Sequence, residues 1–166
     1  MTTLTKIEMG ERKFTKNDEV LAFVRAIPAV ANAKSPRVGC AGIVRRGDAV
    51  LLGRRNKDPN RGMWVLPGGG VGFGETLFGT LHRELHEEAG IEIQVDGFFN
   101  VYELITPPDE HRVIIYLTAH YQAGNPIASD DLSEVGFFTV DEIRMFSRNR
   151  EISPLVEKVL REAALI

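Results

Sequence analysis

Pro67-Gly-Gly-Gly-Val-Gly-Phe-Gly-Glu-Thr-Leu-Phe-Gly-Thr-Leu-His-Arg-Glu-Leu-His-Glu-Glu-Ala-Gly-Ile91 is the stretch whose reading decides the fold. A glycine-rich loop, 67–74, runs into helical spacing over 76–89. Gly90 is suited to the left-handed residue that closes a helix. At about 100° per residue, Leu77, Phe78, Leu81 and Leu85 form one apolar stripe that must face a core.

The acids of this helix are placed against its stability. Glu84 and Glu88 lie within roughly 20° of Leu77, at the edge of the stripe, and Glu87 is one step further round. His82, Arg83 and His86 take the opposite face. Three carboxylates crowd the last turns, where the helix macrodipole disfavours negative charge by about 0.3–1 kcal/mol each. Taken alone, such a cluster reads as a solvated helix end. As a half-buried group of hard oxygen donors it calls for a cation, and Mg²⁺ or Mn²⁺ suits it.

Spacing decides between these readings. Gly69, five residues, Glu75, seven residues, Arg83-Glu84, an apolar residue, any residue, Glu87-Glu88, any residue, Gly90 and apolar Ile91 make a complete Nudix box. With each fixed residue at about 5–7% background, a chance match is on the order of 10⁻⁷. The chain therefore resembles the Nudix hydrolases, with the motif complete over 69–91.

The rest of the chain is compatible with that resemblance. Its 166 residues suffice for one domain with a proper core, and 43% hydrophobic with 26% charged residues is ordinary globular composition. A net charge of −3 without a basic run argues against general nucleic-acid binding. Cys40 is the only cysteine, so no internal disulfide can form; among Val38, Ala41 and Ile43 it reads as core. A cytoplasmic setting fits. The apolar run at 20–33 follows Asp18 and Glu19 and is broken by Arg25 and Pro28, unlike a secretory signal. No stretch is long enough to span a bilayer.

Residues 1–36 read as an N-terminal extension ahead of a domain over 37–166. Asn17 or Asp18 could cap a short helix through Val20, Leu21, Phe23 and Val24, ending near Pro28. A packing arm, a homodimer contact and a substrate lid are all compatible with it. Strands are expected over 37–44, 49–54, 63–66, 92–104 (bulged at Gly97), 111–121 and 135–139. Apolar residues on both faces of 111–121 imply a central, covered strand. A helix should begin near Asp141, and another should follow Ser153-Pro154. Trp64 reads as core. This order suggests a mixed sheet covered on both faces, and the resemblance implies the Nudix α/β/α sandwich.

The resemblance further implies metal-dependent cleavage of a phosphoanhydride in a nucleoside diphosphate linked to another group. It implies metal ligation by Glu84, Glu87, Glu88 and the Gly69 carbonyl, with Glu75 joining through water. Glu84 is the candidate general base and Arg83 a carboxylate-orienting residue. Glu84 should point elsewhere on the helix, which leaves Glu87 as the local partner of Arg83. Asp131 matches a late-loop acid that approaches the metal, with Asp130 and Glu134 behind it. Arg54, Arg55 and Lys57 are either solvated surface or phosphate contacts, and Arg112 is a substrate-contact candidate beside Tyr102, Phe98, His111 and Tyr116. Gly72 stands where many relatives have glutamate, which tilts the expectation toward a nucleoside triphosphate. Pro107 points weakly toward ADP-ribose.

Overall fold

The computed structural model describes residues 3–6 (backbone only), 35–106 and 110–166. The expected helix at 17–28 and the Pro107 feature lie outside the described residues.

Among the described residues, eight strands share one mixed sheet. They are β1 (Thr3–Lys6), β2 (Arg37–Arg46), β3 (Ala49–Arg55), β4 (Trp64–Val65), β5 (Gly68–Gly70), β6 (Ile91–Thr106), β7 (Glu110–Gly124) and β8 (Leu132–Thr139). The path is β1-β6-β7-β2-β3-β4, with β5 paired to β2 and β8 to β3. Helices are α1 (Leu77–Ala89), α2 (Val140–Arg148) and α3 (Pro154–Glu162). The first strand of the N-terminal extension thus adds to the sheet edge at β6.

Strand alternation builds two cores from one sheet, because successive side chains point to opposite faces. Ala41, Ile43, Val50, Leu52 and Tyr116 pack with Ile143 of α2 and Val156, Val159 and Leu160 of α3. Cys40, Val44, Leu51, Leu117 and Ala119 pack with Leu81, Leu85 and Ala89 of α1. Strand β7 lies between β6 and β2 and feeds both cores, as apolar residues on both its faces required. The long β6 shifts register between Val95 and Gly97, where the bulge was expected.

Two expectations are corrected here. The loop at 67–74 is in part a strand: Gly68–Gly70 pairs antiparallel with Gly39–Ala41. That approach needs glycine, since a Cβ on Gly68, at φ +153°, would lie 2.2 Å from the Cys40 carbonyl oxygen. Phe78, expected in the buried stripe, is 47% exposed: it lies in the first turn of the helix, whereas the buried positions run from Thr80 to Ala89. Trp64 is core as expected, stacked on Phe146 and edge-on to Phe138.

Candidate active site

The site starts with the seating of α1. Thr76 caps the helix, its hydroxyl accepting from the Gly79 N–H at 3.0 Å. Gly90 closes it at φ 66°, its N–H donating to the His86 and Leu85 carbonyls. Leu81 and Leu85 are fully buried, each stabilising the docked helix by about 1.5–3 kcal/mol. That docking turns the Glu84–Glu88 edge onto β5.

Glu84 lies against the backbone of Gly69: a Cβ there would fall 2.2–2.4 Å from the Glu84 carboxylate atoms. Glu88 is 4% exposed and accepts from the Gly68 N–H. Burial, and secondarily the charge of Glu84, pushes its carboxyl up to about 7. A buried acid with an acidic neighbour lacks positive charge, and Arg55 offsets this only in part.

Arg83 binds the rest of the motif together. Its Nε donates to Glu75 Oε1 at 2.8 Å and its Nη2 to Glu75 Oε2 at 3.0 Å. Its Nη1 reaches Glu84 at 2.9 Å and Glu87 at 3.2 Å. The expectation that Glu84 points away from its neighbour is thus overturned. The guanidinium carries five donors on a long stem, so it folds over the helix edge and serves both i+1 and i+4. Glu75 also accepts from the Gly72 N–H at 2.9 Å and the buried Thr80 hydroxyl at 3.0 Å. These bonds, Arg83 foremost, hold its carboxyl down to about 2. A Cβ on Gly72 would meet Glu75 Oε2 at 2.9 Å, so glycine suits this anchoring.

These oxygens fit a hard divalent cation: Glu84 is cradled by a residue without a Cβ, and Glu88 is buried without full charge compensation. Among the described residues, no group of three such side chains converges into a ready-made cage. Glu87, 56% exposed, faces Arg83 and solvent.

Beside Glu88 opens a cavity of about 600 Å³. Gly68–Gly70, Glu88, Arg55 and Asp131 line it near the motif; Ala41, Leu66, Ile114 and Tyr116 line its apolar span; Arg37, Glu110 and Arg112 line it beyond. Such a volume is in the range of small-molecule sites.

The expected basic contacts separate here. Arg55 and Arg112 line the cavity, whereas Arg54 bonds the Gly62 carbonyl at 2.9 Å and Glu134 at 3.0 Å. Adjacent strand residues face opposite ways, and β3 has a register shift between these two. Asp131 is ion-paired with Lys57 and, at 3.5 Å, with Arg55. Its Oδ1 is buried and faces the Lys57 ammonium. Asp130 contributes its carbonyl to Asn56. Of the stacking candidates, Tyr102 is buried with its hydroxyl on Glu162 at 2.5 Å, and Phe98 is 56% exposed. Tyr116 lines the cavity.

Arg37 and Glu110 escaped the sequence reading. The available signal was the Glu110-His-Arg112 alternation, which puts two charges on one strand face; Arg37 joins them only through sheet register.

A profile of the NUDIX domain matches residues 33–156. An ADP-ribose pyrophosphatase of Methanocaldococcus jannaschii is 31% identical over 120 residues, 70% of this chain and 69% of that protein. The crystal structure of a MutT NUDIX hydrolase from Burkholderia pseudomallei superposes with a TM-score of 0.66 at 27% identity, covering 78% of this chain and 98% of that one. A bifunctional NMN adenylyltransferase/ADP ribose pyrophosphatase from Francisella tularensis, complexed with AMP and a manganese ion, shares the fold. There the TM-score is 0.62 at 19% identity, covering 87% of this chain and 45% of that one.

Proposed function

This chain belongs to the Nudix family, hydrolases of phosphoanhydride bonds, and from that premise we propose that it cleaves a nucleoside or deoxynucleoside triphosphate to monophosphate and pyrophosphate. The observation that carries this reading is the cavity itself. One end of it is lined by Glu88, Arg55 and the glycine strand, a setting suited to metal-bound phosphates, and an apolar span lies beyond. That is room for one nucleoside with a polyphosphate tail.

The roles follow from charge and position. Arg55 lines the cavity and neutralises phosphate oxygens. Glu84 is the general base, taking the proton of the attacking water, and Arg83 positions it while binding Glu75 and Glu87. Asp131, through its pair with Arg55, holds that guanidinium at the cavity wall. A divalent cation, Mg²⁺ or Mn²⁺, would be held by Glu84, Glu88 and the Gly69 backbone with Glu87 close by, and would supply charge neutralisation on the phosphates and acidify the attacking water. We take the enzyme to work in the cytoplasm on small molecules.

ADP-ribose is the second reading, favoured by the Methanocaldococcus jannaschii relative's name. Product analysis after incubation with Mg²⁺ separates the two. Triphosphates giving monophosphate and pyrophosphate support the first; AMP with ribose phosphate from ADP-ribose, and inert triphosphates, would replace it with the second. Binding without turnover of any nucleotide, nucleotide sugar or dinucleoside polyphosphate would overturn both.

A further inference from the structure

The end of the cavity remote from the motif carries its own charged cluster. Strand β2 runs parallel to β7 with Arg37 opposite Arg112, and Glu110 lies two residues before Arg112 on the same face. Arg112 Nε lies 2.6 Å from Glu110 Oε1, and Arg37 Nη2 lies 3.8 Å from the same oxygen. Glu110 is 20% and Arg112 30% exposed in their side chains, so both are largely withdrawn from water. Arg112 Nε is buried and has no aligned hydrogen-bond acceptor despite the short ion pair. Both guanidiniums line the cavity with more N–H donors than one shared carboxylate oxygen can accept, which leaves donors for an incoming acceptor.

The position of the cluster fixes what can reach it. Arg37 is four residues along β2 from Ala41, which pairs with Gly68. That is about 13 Å of extended strand. The wall between, with Ile114 and Tyr116, is apolar and suits a sugar and a flat ring.

We propose that Arg37, Glu110 and Arg112 form a base-reading site that selects guanine. This rests on the reading of the cavity as a nucleotide site with its phosphates at the Glu88 end. A second anion is a poor occupant, because the Glu110 carboxylate between the two arginines leaves the cluster a net charge of only one and would repel it. A neutral ring with an acceptor edge and a donor edge matches it. Guanine offers O6 and N7 to an arginine, and its N1–H and N2 amine are adjacent donors for a carboxylate. Adenine and cytosine present a donor beside an acceptor instead, so a two-oxygen acceptor meets only one donor on them.

The test is binding of nucleoside diphosphates to the whole protein by calorimetry in the presence of chelator. GDP is compared with IDP, which lacks the N2 amine, and with ADP, CDP and UDP. GDP should bind at least about tenfold tighter than IDP. Glu110→Gln, isosteric and checked for an unchanged melting temperature, should bring GDP and IDP within about threefold of each other. Equal affinities in the unaltered protein, a preference for another base, absence of binding by all five, or a preference surviving in Glu110→Gln would each overturn the inference. Hydrolysis of GTP with Mg²⁺ is followed in parallel. Guanine selectivity without hydrolysis removes the proposed function and leaves the base-reading site standing; hydrolysis without selectivity does the reverse.

Discussion

Helices α1 and α2 both begin with a threonine cap and both bury apolar residues against the same sheet, yet they distribute charge in opposite ways. In α2 the Thr139 hydroxyl and N–H both bond Glu142, whose N–H faces the hydroxyl in return. Asp141 and Glu142 occupy its first turn and Arg148 its last, as the macrodipole favours. In α1 the first turn holds no acid, and Glu84, Glu87 and Glu88 crowd the far end. Every charge in α2 is where stability wants it. In α1 the acids are held in place by Arg83, the glycine strand and burial, at a cost in folding free energy. The difference marks which helix the chemistry has shaped.

The largest effect expected of this contrast is on turnover. Glu84→Gln should reduce hydrolysis by about 10³-fold, within the range for loss of a general base, while leaving the fold intact. Glu142→Gln, at the other helix, should leave kcat unchanged. Steady-state assays of the two variants side by side check this, and equal losses in both would erase the distinction.

Stability should move the other way at Glu88. Its carboxyl is raised in the folded protein from 4.5 to about 7, so between those pH values the folded state binds more protons than the unfolded. Stability without divalent ion therefore falls as pH rises through that window, by about 3 kcal/mol in total. Glu88→Gln should remove that loss, melting above the unaltered protein at pH 8 in chelator and level with it near pH 4.5, while losing activity. Parallel pH dependence of the two melting curves would mean that Glu88 carries no such penalty.

A smaller effect is expected at the cradle. A methyl group on Gly69 collides with the Glu84 carboxylate. Since that is the end of a side chain that can swing aside, Gly69→Ala should fold but lose roughly 10–10²-fold in kcat, as expected for a displaced catalytic group. Undiminished turnover would show that Glu84 need not rest on the glycine strand.

The smallest is at the cap of α2. Thr139→Ala removes the capping box and should cost about 1 kcal/mol in denaturant unfolding, with kcat unchanged. A loss of turnover there would tie α2 to the chemistry after all.

What could be read from the sequence was what depends on short separations along the chain. The helical stretch opening at Thr76, the Leu81–Leu85 part of the apolar stripe, the Gly90 closure and the inward edge of Glu84 and Glu88 all follow from short-range spacing, and each is found. The alternation of β7 gave its central place, and Gly97 marked the bulge of β6. Three features depended on contacts between distant segments. Which of Arg54 and Arg55 enters the cavity turned on the β3 register against β8. Glu84 met Arg83 because the glycine strand and Glu75 gather around one guanidinium. Arg37 met Glu110 and Arg112 across 73 and 75 residues of chain through one parallel strand pairing. Helix geometry is set by bonds four residues apart and is written locally. Sheet register is set by which distant faces bury together, and only the folded chain decides it.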